Sequence, residues 1–88
     1  MKIEAQIQEY VSRNLLFSDD AFHYDNDASF LREGIIDSMG VMDLVAFVRT
    51  DFGIQVDPKD VTPENFDSVN KLAGFIRRKW NPQSAQPL

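Results

Sequence analysis

The stretch from Ser38 to Phe52 carries the chain's strongest helical signal, and any fold must be arranged around it. Asp37 and Ser38 are helix-start residues, and Gly53 stands where a helix-ending glycine belongs. Advanced at roughly 100° per residue from Ser38, the residues Val41, Leu44, Val45, Val48 and Phe52 fill one arc at about 240–340°. That arc is a sufficient core stripe. Met39, Met42 and Ala46 form a second apolar group at roughly 40–100°, flanked by Asp43, Arg49 and Thr50. Phe47 stands apart at about 180°, placed to meet the first helix or a loop. A small bundle buries one face of each helix. The second stripe, with two adaptable methionines and an acidic flank, therefore reads either as a docking surface or as a face covered by a neighbouring loop.

Eighty-eight residues allow one domain and one small core. Ile3, Ile7, Tyr10, Val11 and Leu15 share a helical face, which predicts a helix over 3–16 whose end is blurred by Asn14. Residues 18–37 show no period. Their turn-formers Ser18-Asp19-Asp20 and Asp25-Asn26-Asp27 alternate with Phe22, Tyr24, Phe30, Leu31, Ile35 and Ile36. This predicts a long loop pinned by its own apolar side chains across the helix ends. Asp57-Pro58 breaks the chain, Thr62-Pro63-Glu64 launches a turn or two, and Asp67-Ser68 caps a last helix over 69–78. The last helix has a core stripe of Val69, Leu72, Ala73 and Ile76 and a basic end at Arg77, Arg78 and Lys79, where Trp80 is placed to pack. No strand pattern or repeat is present. The expected fold is all-α: a small four-helix bundle of three main helices and one short third helix, with a long loop between helices 1 and 2. It occupies 1–80, with 81–88 a disordered tail.

Charge narrows the function. The net charge is −5, and residues 19–67 hold 12 acids against only Arg32, Arg49 and Lys59. That middle repels phosphate backbones and argues against nucleic acid. It suits a partner with a basic surface, or simply keeps a small domain soluble. No apolar run approaches the ~18 residues of a membrane span, and the start lacks a signal peptide's apolar core. With no cysteine, disulfides and thiolate zinc sites are excluded. A cytoplasmic monomer is the expectation.

Catalytic motifs fail on inspection. A hydrolase elbow needs Gly-x-Ser-x-Gly, but Ile36 occupies the first glycine's place, and His23 is the only histidine. A calcium loop starting at Asp25 fails at Phe30, where glycine is required, and at Ile36, where glutamate is required. No metal site and no enzyme is expected. What remains is Ser38, a hydroxyl at the start of the best helix and behind a long loop. A helix N-terminus favours an attached anion. An N-cap serine that merely holds the helix is the commoner alternative.

Gly34-Ile35-Ile36-Asp37-Ser38-Met39-Gly40, with Val41-Met42-Asp43-Leu44-Val45 after it, resembles the phosphopantetheine-attachment region of acyl and peptidyl carrier proteins. The Asp-Ser-Met-Gly form is similar to that of D-alanyl carriers and of free-standing carriers. Ser29-Phe30-Leu31-Arg32-Glu33-Gly34 resembles the run closing that family's first loop, and the segment from Asp60 to Ser68 resembles its short third helix and the start of the fourth. The likeness spans roughly residues 3–79.

The resemblance implies a free-standing acyl, aminoacyl or peptidyl carrier that is not itself an enzyme. Ser38 would bear 4′-phosphopantetheine covalently, and Asp37 would help a transferase and its metal ion engage the site. Met39, Met42, Asp43, Ala46, Val61 and Phe66 would meet partners. Those partners are a phosphopantetheinyl transferase, an adenylate-forming acyl or aminoacyl ligase, and downstream acyl-transfer or condensation enzymes. Arg49 and Thr50 stand where fatty-acid carriers usually have acids, which points away from a fatty-acid role. The alternative is a small helical interaction module without a prosthetic group.

Overall fold

The computed structural model describes residues 2–18 and 22–80, and the tail expected at 81–88 lies outside the described residues. The described residues form an all-α bundle: α1 (Ile3–Tyr10) running into a wider π-helical turn (Val11–Leu15), α2 (Ser38–Phe52), a 3-10 turn (Pro58–Asp60), α3 (Pro63–Phe66) and α4 (Val69–Lys79). The core draws on the expected helical stripes, with Ile3, Tyr10, Leu15, Val41 and Phe52 only partly buried against it. Ile7, Val11, Phe30, Leu44, Val48, Leu72, Ala73 and Ile76 are fully buried, with Phe66 and Val69 nearly so. Phe75, absent from the expected α4 stripe, is also buried and packs on Phe66 with ring centroids 5.2 Å apart.

The first helix departs from its expected 3–16 span. After Tyr10 the backbone widens by one residue, and the Leu16 N–H donates to the Val11 carbonyl at 2.9 Å. Asn14 supplies a physical reason: its side-chain amide donates to the Tyr10 carbonyl at 3.3 Å, competing for an acceptor the regular helix would use. The turn closes at Phe17, a non-glycine residue with φ of 53°, while the Ser18 N–H reaches back to the Ser12 carbonyl at 2.8 Å. This closure is one residue longer than the 6→1 bond of a Schellman motif, in keeping with the wider π-helical turn, and its left-handed residue is not the usual glycine. Phe47 meets the first helix as expected, stacking on Tyr10 with centroids 4.3 Å apart. The Tyr10 hydroxyl donates to the Asp43 carbonyl at 3.1 Å and fixes the rotation of α2.

The long loop is pinned twice. Phe30, Ile35 and Ile36 are buried, so apolar pinning holds as anticipated. A polar clamp adds to it. Asp67, at the α3–α4 junction, accepts from the Phe30 N–H at its carbonyl (2.8 Å), from the Leu31 N–H at Oδ1 (3.1 Å) and from the Ser29 hydroxyl at Oδ2 (2.5 Å). Asn70 of α4 donates its backbone N–H to the Asn26 carbonyl (3.0 Å) and its side-chain amide to Asp27 (2.7 Å). Gln8 of α1 donates to Asn26 Oδ1 at 2.6 Å. The loop thus bridges the first and last helices.

The basic end of α4 acts chiefly as a set of ties. Arg77 grips Glu4 of α1 through two bonds of 2.6 and 2.8 Å, Arg78 donates to Asn65 of α3 at 2.8 Å, and Lys79 lies 3.2 Å from Asp60. The Arg77 hydrogen bonds hold the Glu4 carboxyl down at about 2, well below its ordinary value. Trp80 is half exposed.

Candidate functional site

The site is built on the first turn of α2. Asp37, not Ser38, is the N-cap: its side chain accepts from the Gly40 N–H at 2.9 Å. Ser38 is the first helical residue, and it is exposed. The described residues give its hydroxyl no hydrogen-bond partner, and the Ser38 and Met39 backbone N–H groups are likewise unengaged. An ordinary capping serine would have spent its hydroxyl on the helix. Here the neighbouring aspartate does that work, which leaves an accessible alcohol in the positive field of a long helix. Gly40 allows the turn to sit close on the loop, because a Cβ there would come within 3.0 Å of the Ile36 Cβ.

The other serines of the described residues are placed differently. Ser12 and Ser68 are buried, and Ser68 caps α4 by accepting from the Lys71 N–H at 3.0 Å. Ser29 is bonded to Asp67. Ser18 lies half-buried at the closure of the π-helical turn.

The second stripe of α2 is open. Met39 is 77% and Met42 60% exposed, and Asp43 and Ala46 are exposed beside them. The long loop does not cover this face, since its buried residues pack on the core side instead. Beside Ser38 runs an apolar groove of about 230 Å³ between α2 and α3, lined by Leu31, Val41, Met42, Val61, Pro63 and Phe66, with Asp67 at its edge. Val61 sits on the groove wall as a half-buried residue. Phe66 differs from its expected surface role. Only 1% exposed and packed on Phe75, it forms the groove floor rather than a contact edge. Val41, assigned to the core arc, is half-buried and faces the groove.

Sequence reasoning missed Leu31, Pro63 and Asp67 as parts of this site. In the sequence Pro63 signals only a helix start and Asp67 only half of a cap. Among the described residues no group of three or more His, Asp or Glu side chains is placed to hold a metal ion. No helix among them is long and apolar enough to cross a membrane.

Comparison with known proteins agrees with this geometry. The family described as "Phosphopantetheine attachment site" matches residues 5–76. The D-alanyl carrier protein of Lactococcus lactis subsp. cremoris (strain MG1363) is 32% identical over 60 residues, covering 68% of this chain and 76% of the relative. The D-alanyl carrier protein of Abiotrophia defectiva is 25% identical over 64 residues, covering 73% of this chain and 81% of the relative. Proteins of this family bear 4′-phosphopantetheine covalently on a serine, and an unengaged, exposed hydroxyl at a helix start fits that chemistry. From Ala5 to Ile76, across all four helices and the loop that joins the first two, this chain belongs to the phosphopantetheine-binding carrier proteins.

Proposed function

We propose that the chain carries an acyl, and more specifically an aminoacyl, cargo on 4′-phosphopantetheine attached to Ser38, and that it is a carrier rather than an enzyme. The observation that supports Ser38 is its exposed hydroxyl, left without a hydrogen bond among the described residues while Asp37 caps the helix. When bound, the group supplies a flexible arm with a terminal thiol that holds the cargo as a thioester and raises its effective concentration at a docked enzyme. The chain's own residues orient and present that arm. The first turn of α2 offers the unengaged N–H groups of Ser38 and Met39 and the helix dipole to a phosphodiester. Asp37 holds the turn in shape through Oδ1. Its Oδ2, bonded to nothing among the described residues, is free to engage the transferase's metal ion. Met39, Met42, Asp43 and Ala46 form the face that a partner grips, and Val61 borders it across the groove.

The relatives' name, D-alanyl carrier protein, favours a small amino acid as cargo and an adenylate-forming ligase as the loading enzyme. Downstream acyl-transfer or condensation enzymes then take the cargo. Incubation with coenzyme A, magnesium and a broad-specificity phosphopantetheinyl transferase should add one phosphopantetheine, read by intact mass. Ser38→Ala should add none and keep its helical circular dichroism. Modification of Ser38→Ala, or a wild-type chain that stays unmodified, would overturn the assignment.

A further inference from the structure

The sulfur of this protein is concentrated in one place. The sequence has no cysteine and three methionines, of which Met39 and Met42 lie within the described residues. The buried core is built from isoleucine, leucine, valine, phenylalanine and alanine and contains neither of them. Met39 is 77% and Met42 60% exposed. Both stand in the first turns of α2, just beyond Ser38. Met42 lines the groove toward α3, and Met39 lines a separate cleft of about 300 Å³ with Phe17 and Ile36. A thioether accepts an oxygen atom, and exposure gives an oxidant access to both sulfurs. With no methionine in the core, oxidation at these positions alters the surface beside Ser38 and leaves the packing beneath it alone.

We propose that Met39 and Met42 form a reversible oxidation site, at which hydrogen peroxide converts each thioether to a sulfoxide and weakens the grip of partners on α2 while the bundle stays folded. This rests on the reading of Ser38 as the attachment residue and of the methionine stripe as the face that partners grip. In the reaction a sulfur lone pair forms a bond to one peroxide oxygen as the O–O bond breaks. The other oxygen leaves with that bond's electron pair and takes the proton from the oxygen now on sulfur, so one water departs. Sulfur loses two electrons and peroxide gains them. A methionine sulfoxide reductase reverses the change: a thiol pair on that enzyme becomes a disulfide, and the oxygen leaves as water. The sulfoxide replaces a flexible apolar contact with a polar acceptor. A partner that packs apolar side chains on this face must then bury an oxygen without a donor, and that cost falls on the complex alone. In the free protein both side chains stand in water, so the fold bears no such cost.

The probe is the broad-specificity phosphopantetheinyl transferase acting on the apo-protein, which has no arm thiol to compete for peroxide. After peroxide treatment and removal of the excess with catalase, peptide mapping should find one added oxygen on Met39 and one on Met42. The KM for the oxidised protein should rise about tenfold, with the thermal midpoint within about 2 °C of the untreated protein. The two methionine sulfoxide reductases, one for each sulfoxide epimer, should return KM to its starting value. Met39→Leu/Met42→Leu removes both sulfurs; whatever its own KM, peroxide should leave that value in place. An untreated wild-type chain that the transferase cannot modify would sink the attachment reading itself. A modifiable chain whose oxidised form keeps the untreated KM would overturn this proposal alone, as would peroxide that leaves Met39 and Met42 intact. A KM rise that the reductases do not undo, that also appears in the double variant, or that comes with a large fall in the midpoint would place the damage elsewhere and overturn it too.

Discussion

Asp67→Ala should loosen the long loop without touching the core. The Asp67 side chain accepts two hydrogen bonds from the loop, one from the Leu31 N–H at 3.1 Å and one from the Ser29 hydroxyl at 2.5 Å. Bonds to an ionised acceptor contribute more than the ordinary ~1 kcal/mol, but partial exposure of this site discounts them to about that value each. The loss is therefore about 2 kcal/mol. For a domain of this size it lowers the thermal midpoint by roughly 8–16 °C. The carbonyl of residue 67 still accepts from Phe30 in the variant, so the loop loosens locally rather than leaving the bundle. Asp67→Asn keeps an acceptor for Leu31 but turns a donor toward Ser29, and should lose about half as much. The assays are thermal unfolding by circular dichroism and amide hydrogen exchange at Phe30 and Leu31, where protection should fall most in Asp67→Ala. A midpoint within about 2 °C of wild type, with unchanged protection at Leu31, would refute the clamp and assign the loop's order to Phe30, Ile35 and Ile36 alone.

Leu44→Ala should destabilise the fold by roughly 2–4 kcal/mol in chemical denaturation, because Leu44 is fully buried, whereas exposed Met42→Ala should change stability by under about 0.5 kcal/mol and instead weaken loading by an adenylate-forming ligase. The Glu4 carboxyl is held at about 2 by its hydrogen bonds to Arg77, so its contribution is present above its unfolded value of 4.5 and is lost as pH falls toward about 2. After discounting for solvent screening this is about 1 kcal/mol. Glu4→Gln should lower the midpoint at neutral pH and flatten its fall between about pH 4.5 and 2 in thermal melts.

The helices were legible because each is written in local chemistry. Gly53 takes the left-handed φ of 66° expected of a helix-ending glycine, and Ser68 caps α4 as Asp67-Ser68 implied. The open methionine stripe was readable from the angular separation of Met39 and Met42 from Leu44 and Val48. The division of labour between Asp37 and Ser38 was not readable, since either residue is a competent cap and only the fold selects one. The widening after Tyr10 depends on where the Asn14 amide goes, which periodicity does not encode. The groove beside Ser38 draws Leu31 from a loop and Pro63 from a one-turn helix, segments brought together by contacts such as those of Asp67 that join positions far apart in the chain.

Because Asp37 supplies the cap, no hydrogen bond that holds α2 together uses the Ser38 hydroxyl. On the proposed reading, a substituent on that oxygen replaces a proton that no helix bond uses, and an exchange of cargo at the far end of the arm leaves the bonds of the bundle unchanged. Such a scaffold has no internal signal for being full or empty. Any enzyme that discriminates between the two must read the arm or its load directly, and vectorial passage through a sequence of partners becomes a property of those partners' pockets rather than of this chain.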